Sequence, residues 1–134
     1  SLEIERATDG GRKGSLLGAI DCTVTAAGGR LLAERLASPL LDVEAIHARL
    51  DAVAWFVAEP DARAGVRQRL SGSGDVARAL TRLALGRGGP RDLAALRAGL
   101  AVGEQAASFI AAEAPAALQE AAAACRLSPD LAQL

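Results

Sequence analysis

Apolar residues recur at three- and four-residue steps along most of the chain, which is the spacing of a helix with one apolar face. The clearest case runs from Asp42 to Ala58 and contains Val43, Ile46, Leu50, Val53 and Val57. The spacing predicts that these five side chains share a face, with Glu44 and Arg49 turned away. Asp42 is suited to cap the helix, because its carboxylate can accept from the free amides of the first turn. Glu59-Pro60 ends it, since the residue before a proline disfavours helical dihedral angles.

Capping residues and helix breakers predict the remaining helices. These are a helix capped by Thr25 and running through Ala37, one from Pro60 or Asp61 with Ala62, Val66 and Leu70, one capped by Asp75 with Val76, Leu80 and Leu83, and one opening at Pro90 with Leu93, Leu96 and Leu100. Two alanine-rich helices are predicted around Pro115, the first carrying Phe109 and Ile110 and the second Leu118, Ala122 and Cys125. Ser128-Pro129 predicts a further cap and first turn.

The first 24 residues carry the weakest pattern. Leu2-Glu3-Ile4 is compatible with a short strand, followed by a glycine-rich turn and a helical turn at Ser15 to Ile20. Gly28 and Gly29, near the first turn of the next helix, predict close packing against a neighbouring element. The sequence therefore predicts an all-α fold, an irregular multi-helix bundle that is helical over 25–134, with one short N-terminal strand as an open alternative.

Composition adds the expected size and setting of the domain. A chain of 134 residues, 51% hydrophobic and 23% charged, can form one compact unit that buries roughly two-thirds of its unfolded surface. The net charge of -1 gives no overall attraction to phosphate backbones. The chain has no apolar run of membrane-spanning length and no signal-peptide pattern, so a cytoplasmic protein is expected. Methionine is absent, also at position 1, which predicts a piece of a longer polypeptide, a processed product or an engineered chain.

Two loops have some likeness to anion-binding loops. The segment from Asp9 to Ser15 places lysine before glycine, whereas a phosphate loop needs glycine, then lysine, then serine or threonine, so a surface turn is favoured. The segment Gly86-Arg87-Gly88-Gly89-Pro90 could point amides at an anion from the start of a helix, but a simple helix connector is favoured.

The residue types that support catalysis are sparse. His47 is the only histidine and is interpreted as a structural residue. Asp51 could be a carboxylate acid, but the nearby Arg49 favours an ion pair or a hydrogen-bonded anchor. Cys22 and Cys125 are about a hundred residues apart and are interpreted as unreactive thiols. No catalytic, cofactor-binding or metal-binding residue is therefore predicted in this chain.

Nucleic-acid recognition finds little support among the aromatic and basic residues. Trp55 and Phe56 are adjacent, so one is expected to pack inward while the other points elsewhere, and three aromatic residues give little material for base stacking. Arginines 63, 67 and 69 form the densest basic patch, which is interpreted as a solvated face.

Several segments together carry a resemblance to a known family. They are Leu2-Glu3-Ile4, the run from Ser15 to Leu32 (SLLGAIDCTVTAAGGRLL), Ser38-Pro39-Leu40-Leu41-Asp42, Arg49-Leu50-Asp51-Ala52-Val53 and the run from Ala84 to Leu93 (ALGRGGPRDL). In this combination the chain resembles the start of the core (lever) domain of bacterial MutS, the DNA mismatch-recognition ATPase, and residues 1–134 correspond to its first segment.

The resemblance implies a non-catalytic segment that joins DNA-binding and ATPase domains in a parent protein. The family's mismatch-reading Phe-x-Glu motif is absent, since the phenylalanines stand in Phe56-Val57-Ala58 and Phe109-Ile110-Ala111. ATP, magnesium and mismatched DNA would be bound by other parts of the parent, which is expected to be a homo-oligomer. The remaining domains of that parent are the expected partners, and no cofactor or membrane contact is expected here.

Two other classes of function remain open from the sequence. A stand-alone helical module could bind a protein partner through an exposed apolar face, whereas a nucleic-acid-binding helical domain is disfavoured by the net charge and the scarcity of aromatic residues. If the rest of a core domain normally covers this segment, the isolated chain should expose apolar surface and self-associate at high concentration.

Overall fold

The computed structural model describes residues 4–5, 10–11 and 13–126, and these residues form seven helices and no strand. The helices are α1 (Leu16–Ile20), α2 (Ala26–Ala37), α3 (Val43–Ala58), α4 (Pro60–Leu70), α5 (Val76–Ala84), α6 (Pro90–Ala107) and α7 (Ala116–Ala124). The predicted all-α fold is thereby confirmed. The predicted strand falls mostly outside the described residues: Ile4 lies in a bend, and its carbonyl accepts from the amide of Leu17 at 2.8 Å. Ser128-Pro129 also lies outside them.

Side-chain caps fix where four of the helices begin. An oxygen of each capping residue accepts from a first-turn amide: Ser15 from Gly18 at 3.0 Å, Thr25 from Gly28 at 3.0 Å, Asp42 from Glu44 at 3.2 Å and Asp75 from Arg78 at 3.2 Å. Each cap satisfies a backbone donor that has no partner inside the helix. The predicted caps at Thr25, Asp42 and Asp75 are therefore confirmed.

The predicted close packing of Gly28 and Gly29 involves the turn just before their own helix. A Cβ added to Gly28 would lie 3.0 Å from Oγ1 of the capping Thr25, and one added to Gly29 would lie 3.3 Å from Oγ1 of Thr23. The neighbouring element is thus the segment that leads into α2, and the glycines let this segment fold against the first turn.

Helices α3 and α4 meet at a single residue. Glu59 follows the last residue of α3 and precedes Pro60, which opens α4, so no loop separates the two helices. The amide of Glu59 donates to the carbonyl of Trp55, and its own carbonyl accepts from Arg63. Proline is tolerated here because the amides of a helix's first turn have no acceptor within the helix. The amide hydrogen that proline lacks therefore leaves no helical hydrogen bond unmade.

The end of α5 shows why the predicted break near Gly86 occurs. Gly86 has a φ of +66°, a left-handed conformation that glycine adopts without the steric cost other residues have. Its amide donates to the carbonyl of Leu83, and the amide of Arg87 donates to the carbonyl of Arg82. These bonds satisfy carbonyls of the last turn and stop the helix.

Helix α6 is longer than the sequence suggested. It runs without a break through Gly99 and Gly103 to Ala107, so the separate alanine-rich helix predicted to carry Phe109 and Ile110 is wrong. Phe109 and Ile110 follow α6 in a turn whose amides donate to the carbonyls of Ala106 and Ala107. An interior glycine costs a helix only about 1 kcal/mol, and contacts of α6 with neighbouring helices offset that cost.

The core is centred on α6, which contacts α4, α5 and α7, while α3 contacts α4 and α7, and α1 contacts α2. The buried residues are mostly small: Ser15, Leu17, Gly65, Ala79, Ala106, Ala107, Ala114 and Ala122. Two glycines allow neighbouring residues to approach the helix backbone directly. A Cβ on Gly65 would overlap the ring of Phe109, and one on Gly99 would overlap Val76. The helices are thus held by short-range contact around small residues.

Many large apolar residues lie at the surface of the described chain, among them Leu41 (93% exposed), Leu85 (64%) and Val57 (68%). Small residues fill the contacts between the helices. The expected burial of roughly two-thirds of the unfolded surface in one compact unit stays a prediction.

Substitution at Gly99 tests the close contact between α5 and α6. In Gly99→Ala the added methyl group overlaps Val76, so we expect the free energy of unfolding to fall by about 1–3 kcal/mol. Gly103→Ala, one turn later in the same helix, is the matched control. There a Cβ meets the Cys125 sulfur at an ordinary 3.6 Å, and we expect a gain of up to about 1 kcal/mol. Urea unfolding measures both, and equal gains would contradict the close contact.

Candidate functional site

The residues with potential chemistry are exposed at the surface. His47 and Asp51 are exposed on α3, and Cys22 and Cys125 are exposed free thiols. Asp51 was expected to form an ion pair or a hydrogen-bonded anchor, but no such partner is found for it among the described residues, because it points away from the neighbouring helices. The described part of the chain holds no group of three or more histidine, cysteine, aspartate or glutamate side chains that could bind a metal ion.

The first glycine-rich segment is only partly described, but its last residue has a clear role. The hydroxyl of Ser15 caps α1, and the residue is 1% exposed. Asp9 and Arg12 lie outside the described residues. In the part that is described, Ser15 acts as a buried helix cap.

In the second loop, Gly86 to Pro90, a carboxylate of the chain itself occupies the place where an anion would bind at the start of the following helix. The amide of Gly89 donates to the Asp92 carboxylate at 2.9 Å, and the guanidinium of Arg82 lies 3.2 Å from the same carboxylate. The Gly89 hydrogen bond, followed by that from Arg82, lowers the pKa of Asp92. The loop therefore caps and joins α5 and α6, which agrees with the helix-connector interpretation.

The arginine patch on α4 is solvated at its surface and also joins elements. Arg63 donates to the carbonyl of Phe56 at 2.6 Å, and Arg67 donates to the carbonyl of Cys22 at 2.9 Å. The first bond satisfies a carbonyl in the last turn of α3, where a positive charge also favours the helix dipole. The second connects α4 to the segment between α1 and α2.

A bidentate ion pair joins α2 to the start of α5. The two terminal nitrogens of Arg30 lie 2.8 and 2.9 Å from the two carboxylate oxygens of Asp75. The pairing of two parallel hydrogen bonds fixes orientation as well as distance. The hydrogen bonds from Arg30, and then that from the amide of Arg78, lower the pKa of Asp75. One carboxylate thus caps α5 and holds α2.

The apolar stripe on α3 is largely exposed. Four of its members have exposed fractions of 61% (Val43), 57% (Leu50), 60% (Val53) and 68% (Val57). Arg49, which was expected to turn away from the core, is half-buried, as are Ile46 and Ala52. The prediction for Arg49 is wrong because α4 and α7 contact α3 on a face rotated from the stripe.

The two adjacent aromatic residues also differ from expectation. Trp55 and Phe56 are both half-buried, and their ring centroids lie 5.1 Å apart at an interplanar angle of 72°. This edge-to-face arrangement is a favoured geometry for aromatic rings. The expectation that only one of them packs inward is wrong, because the rings contact each other at the edge of the packed face.

The described residues form an all-helical arrangement in which polar side chains cap the helices and link them to one another. A family model described as MutS domain III matches residues 1–134. The chain belongs to the MutS domain III family, which confirms the resemblance found in the sequence.

Relatives with high identity are much longer than this chain. The DNA mismatch repair protein MutS of Caulobacter sp. (strain K31) is 63% identical over 110 residues, which are 82% of this chain and 12% of that protein. The MutS protein of Rhodopseudomonas palustris (strain BisB18) is 56% identical over 136 aligned positions, 99% of this chain and 15% of that protein. The MutS protein of Cereibacter sphaeroides is 51% identical over 134 residues, 100% of this chain and 15% of that protein.

No solved structure gives a significant match to the chain. Among the described residues, no helix is both long enough and apolar enough to cross a membrane.

Acidification should weaken the ties made by Asp75 and Asp92. Both carboxyl groups have pKa values below the ordinary 3.8 in the folded chain, so their stabilisation is present above that value and is lost as pH falls through the lowered pKa values. We expect the urea midpoint to fall between pH 7 and about pH 3, and to fall less in the Asp75→Asn, Asp92→Asn double variant. Asp51→Asn, at an exposed carboxylate, should keep the full dependence. A urea midpoint that falls with pH as steeply in the double variant as in the unsubstituted chain would contradict this role.

Proposed function

We propose that this chain is a non-catalytic helical segment that couples DNA-binding and ATPase domains in a MutS protein. The observation that carries the proposal is the match of the MutS domain III model to residues 1–134. The polar contacts between helices support it, because ion pairs link α2 to the start of α5 and α5 to α6. Coupling between distant sites requires elements that are stiff and have few alternative arrangements.

The proposal assigns chemistry to the remainder of the parent protein. ATP and magnesium would be bound there, and mismatched DNA would be bound by the parent as a cytoplasmic homo-oligomer. The chain spans only 12% to 15% of the relatives named above. The other MutS domains are therefore the partners of this segment.

A second candidate is a helical module that binds a separate protein through an apolar face. The exposed stripe on α3 favours it, because a single helix side carries four valine or leucine side chains that are more than half exposed. The two candidates differ in whether the partner belongs to the same polypeptide.

The isolated 134 residues should neither hydrolyse ATP nor distinguish mismatched from matched duplex DNA. Purified chain is mixed with ATP and magnesium, and phosphate release is compared with buffer alone. Binding to a labelled duplex with one mismatch is compared with binding to the matched duplex. Turnover above the buffer level, or a preference for the mismatched duplex, would contradict the proposed non-catalytic role.

In the full-length protein, loosening the helix contacts should impair coupling. Gly99→Ala forces α5 and α6 apart, so we expect the stimulation of ATPase activity by mismatched DNA to fall by roughly twofold to thirtyfold, with the DNA-free rate retained. Gly103→Ala is the control and should keep the stimulation. Thermal unfolding of both variants establishes that they are folded at the assay temperature. Normal stimulation in folded Gly99→Ala protein would argue against transmission through this contact.

A further inference from the structure

The first two helices form one unit that is held together from within. Helix α1 contacts α2, and the segment between them is ordered by Asp21. Its carboxylate accepts from the amide of Thr23 at 3.0 Å and from the Thr23 hydroxyl at 2.7 Å. Gly28 and Gly29 let the first turn of α2 pack against this segment. Residues 15–37, which contain both helices and the segment between them, are called the α1–α2 arm below.

The arm has little apolar packing against the other helices. No residue of α2 is buried, and the contacts of α2 with other helices are chiefly those with α1. An open, mostly apolar groove of about 360 Å³ lies between the start of α2 and the helices α5 and α6. Its lining includes Ala26 and Ala27 on the arm, and Val76, Gly99 and Val102 on the other side. Because the groove is unfilled, its apolar walls contribute little to holding the arm in place.

Polar contacts from two arginines join the arm to the other helices. Arg30 of α2 forms the bidentate ion pair with Asp75 at the start of α5, with nitrogen-to-oxygen distances of 2.8 and 2.9 Å. Arg67 of α4 donates to the carbonyl of Cys22 in the arm at 2.9 Å. The Arg30 side chain is 53% exposed, so water competes for the ion pair and salt screens it. Such a pair fixes orientation but adds only modest stability.

The link from the arm to α3 is free of helical structure. Residues 38–42 form this link, and Leu41 within it is 93% exposed. Pro39 restricts its own torsions and those of Ser38, while the torsions of the following residues are not fixed by a helix. The link can therefore change its conformation without breaking helical hydrogen bonds.

We propose that the α1–α2 arm is a movable element whose docked position on α5 is set by the ion pair between Arg30 and Asp75. When the pair opens, the arm turns about residues 38–42 and the groove beside α5 and α6 widens. Asp75 keeps its hydrogen bond to the amide of Arg78, so α5 stays capped while the arm is undocked. The inference goes beyond the proposed function, because it concerns movement inside this segment and holds whether or not that movement serves coupling.

Hydrogen exchange of the α2 amides in the 134-residue chain tests the proposal. A helix of 12 residues is only marginally stable in water by itself, so α2 loses protection when the arm is undocked. The test variant is Arg30→Met, which removes the charge and the donors but keeps a long side chain of similar helix propensity. The matched control is Arg82→Met, which removes the ion pair with Asp92 in the same way. Exchange of α2 and α6 peptides is followed by mass spectrometry.

We expect the α2 amides of Arg30→Met to exchange about threefold to fivefold faster than those of the unsubstituted chain, while the α6 amides keep their rates. Arg82→Met should leave the α2 rates unchanged. Sodium chloride at about 1 M should accelerate α2 exchange in the unsubstituted chain towards the Arg30→Met rate, because salt screens the ion pair. The salt measurement needs no substitution, so it tests the proposal even if Arg30→Met fails to fold.

Equal α2 rates in Arg30→Met and the unsubstituted chain would overturn the proposal, because the arm would then be docked without the ion pair. The same acceleration in α2 and α6 would also overturn it, since the substitution would then lower the stability of the whole chain. An α2 rate that rises as much in Arg82→Met, or that does not respond to salt in the unsubstituted chain, would overturn it as well.

Discussion

Helix α6 can meet its neighbours at short range only because small residues stand at the contacts. Gly99 leaves room for Val76 of α5, and Gly65 of α4 leaves room for the ring of Phe109 beyond the end of α6. Alanines fill most other buried positions. Contacts of this kind bury little apolar area per residue, but they bring backbones close and tolerate little added volume. The relative placement of α4, α5 and α6 therefore depends on residues that have only a methyl group or a hydrogen as side chain.

Local signals in the sequence were sufficient to predict where several helices begin. Thr25, Asp42 and Asp75 cap the helices that they were predicted to cap, because a cap depends on one side chain and the amides next to it. The fused helix α6 shows the limit of such signals. Glycine is a weak helix breaker whose effect depends on what it touches, and the sequence alone does not identify the neighbour of Gly103.

The orientation of α3 could not be predicted from periodicity. The repeat from Val43 to Val57 shows that apolar side chains share a side, but it does not show which neighbour covers that side. In the described chain α3 contacts α4 and α7 through a different side, which leaves Leu50 exposed and Arg49 half-buried. The ion pair between Arg30 and Asp75 was missed for a related reason, since the pair spans 45 residues and has no short-range signature.

The junction at Glu59 connects α3 and α4 through a short and conformationally restricted backbone segment. Pro60 fixes its own φ angle, and Glu59 is restricted because it precedes a proline. Arg63 of α4 also links the two helices, because its guanidinium donates a hydrogen bond to the carbonyl of Phe56 in α3. Few backbone torsions at this corner are therefore free to change, and the angle between α3 and α4 is restricted. Because α4 also contacts α6, the corner ties the direction of α3 to the packed centre of the described helices.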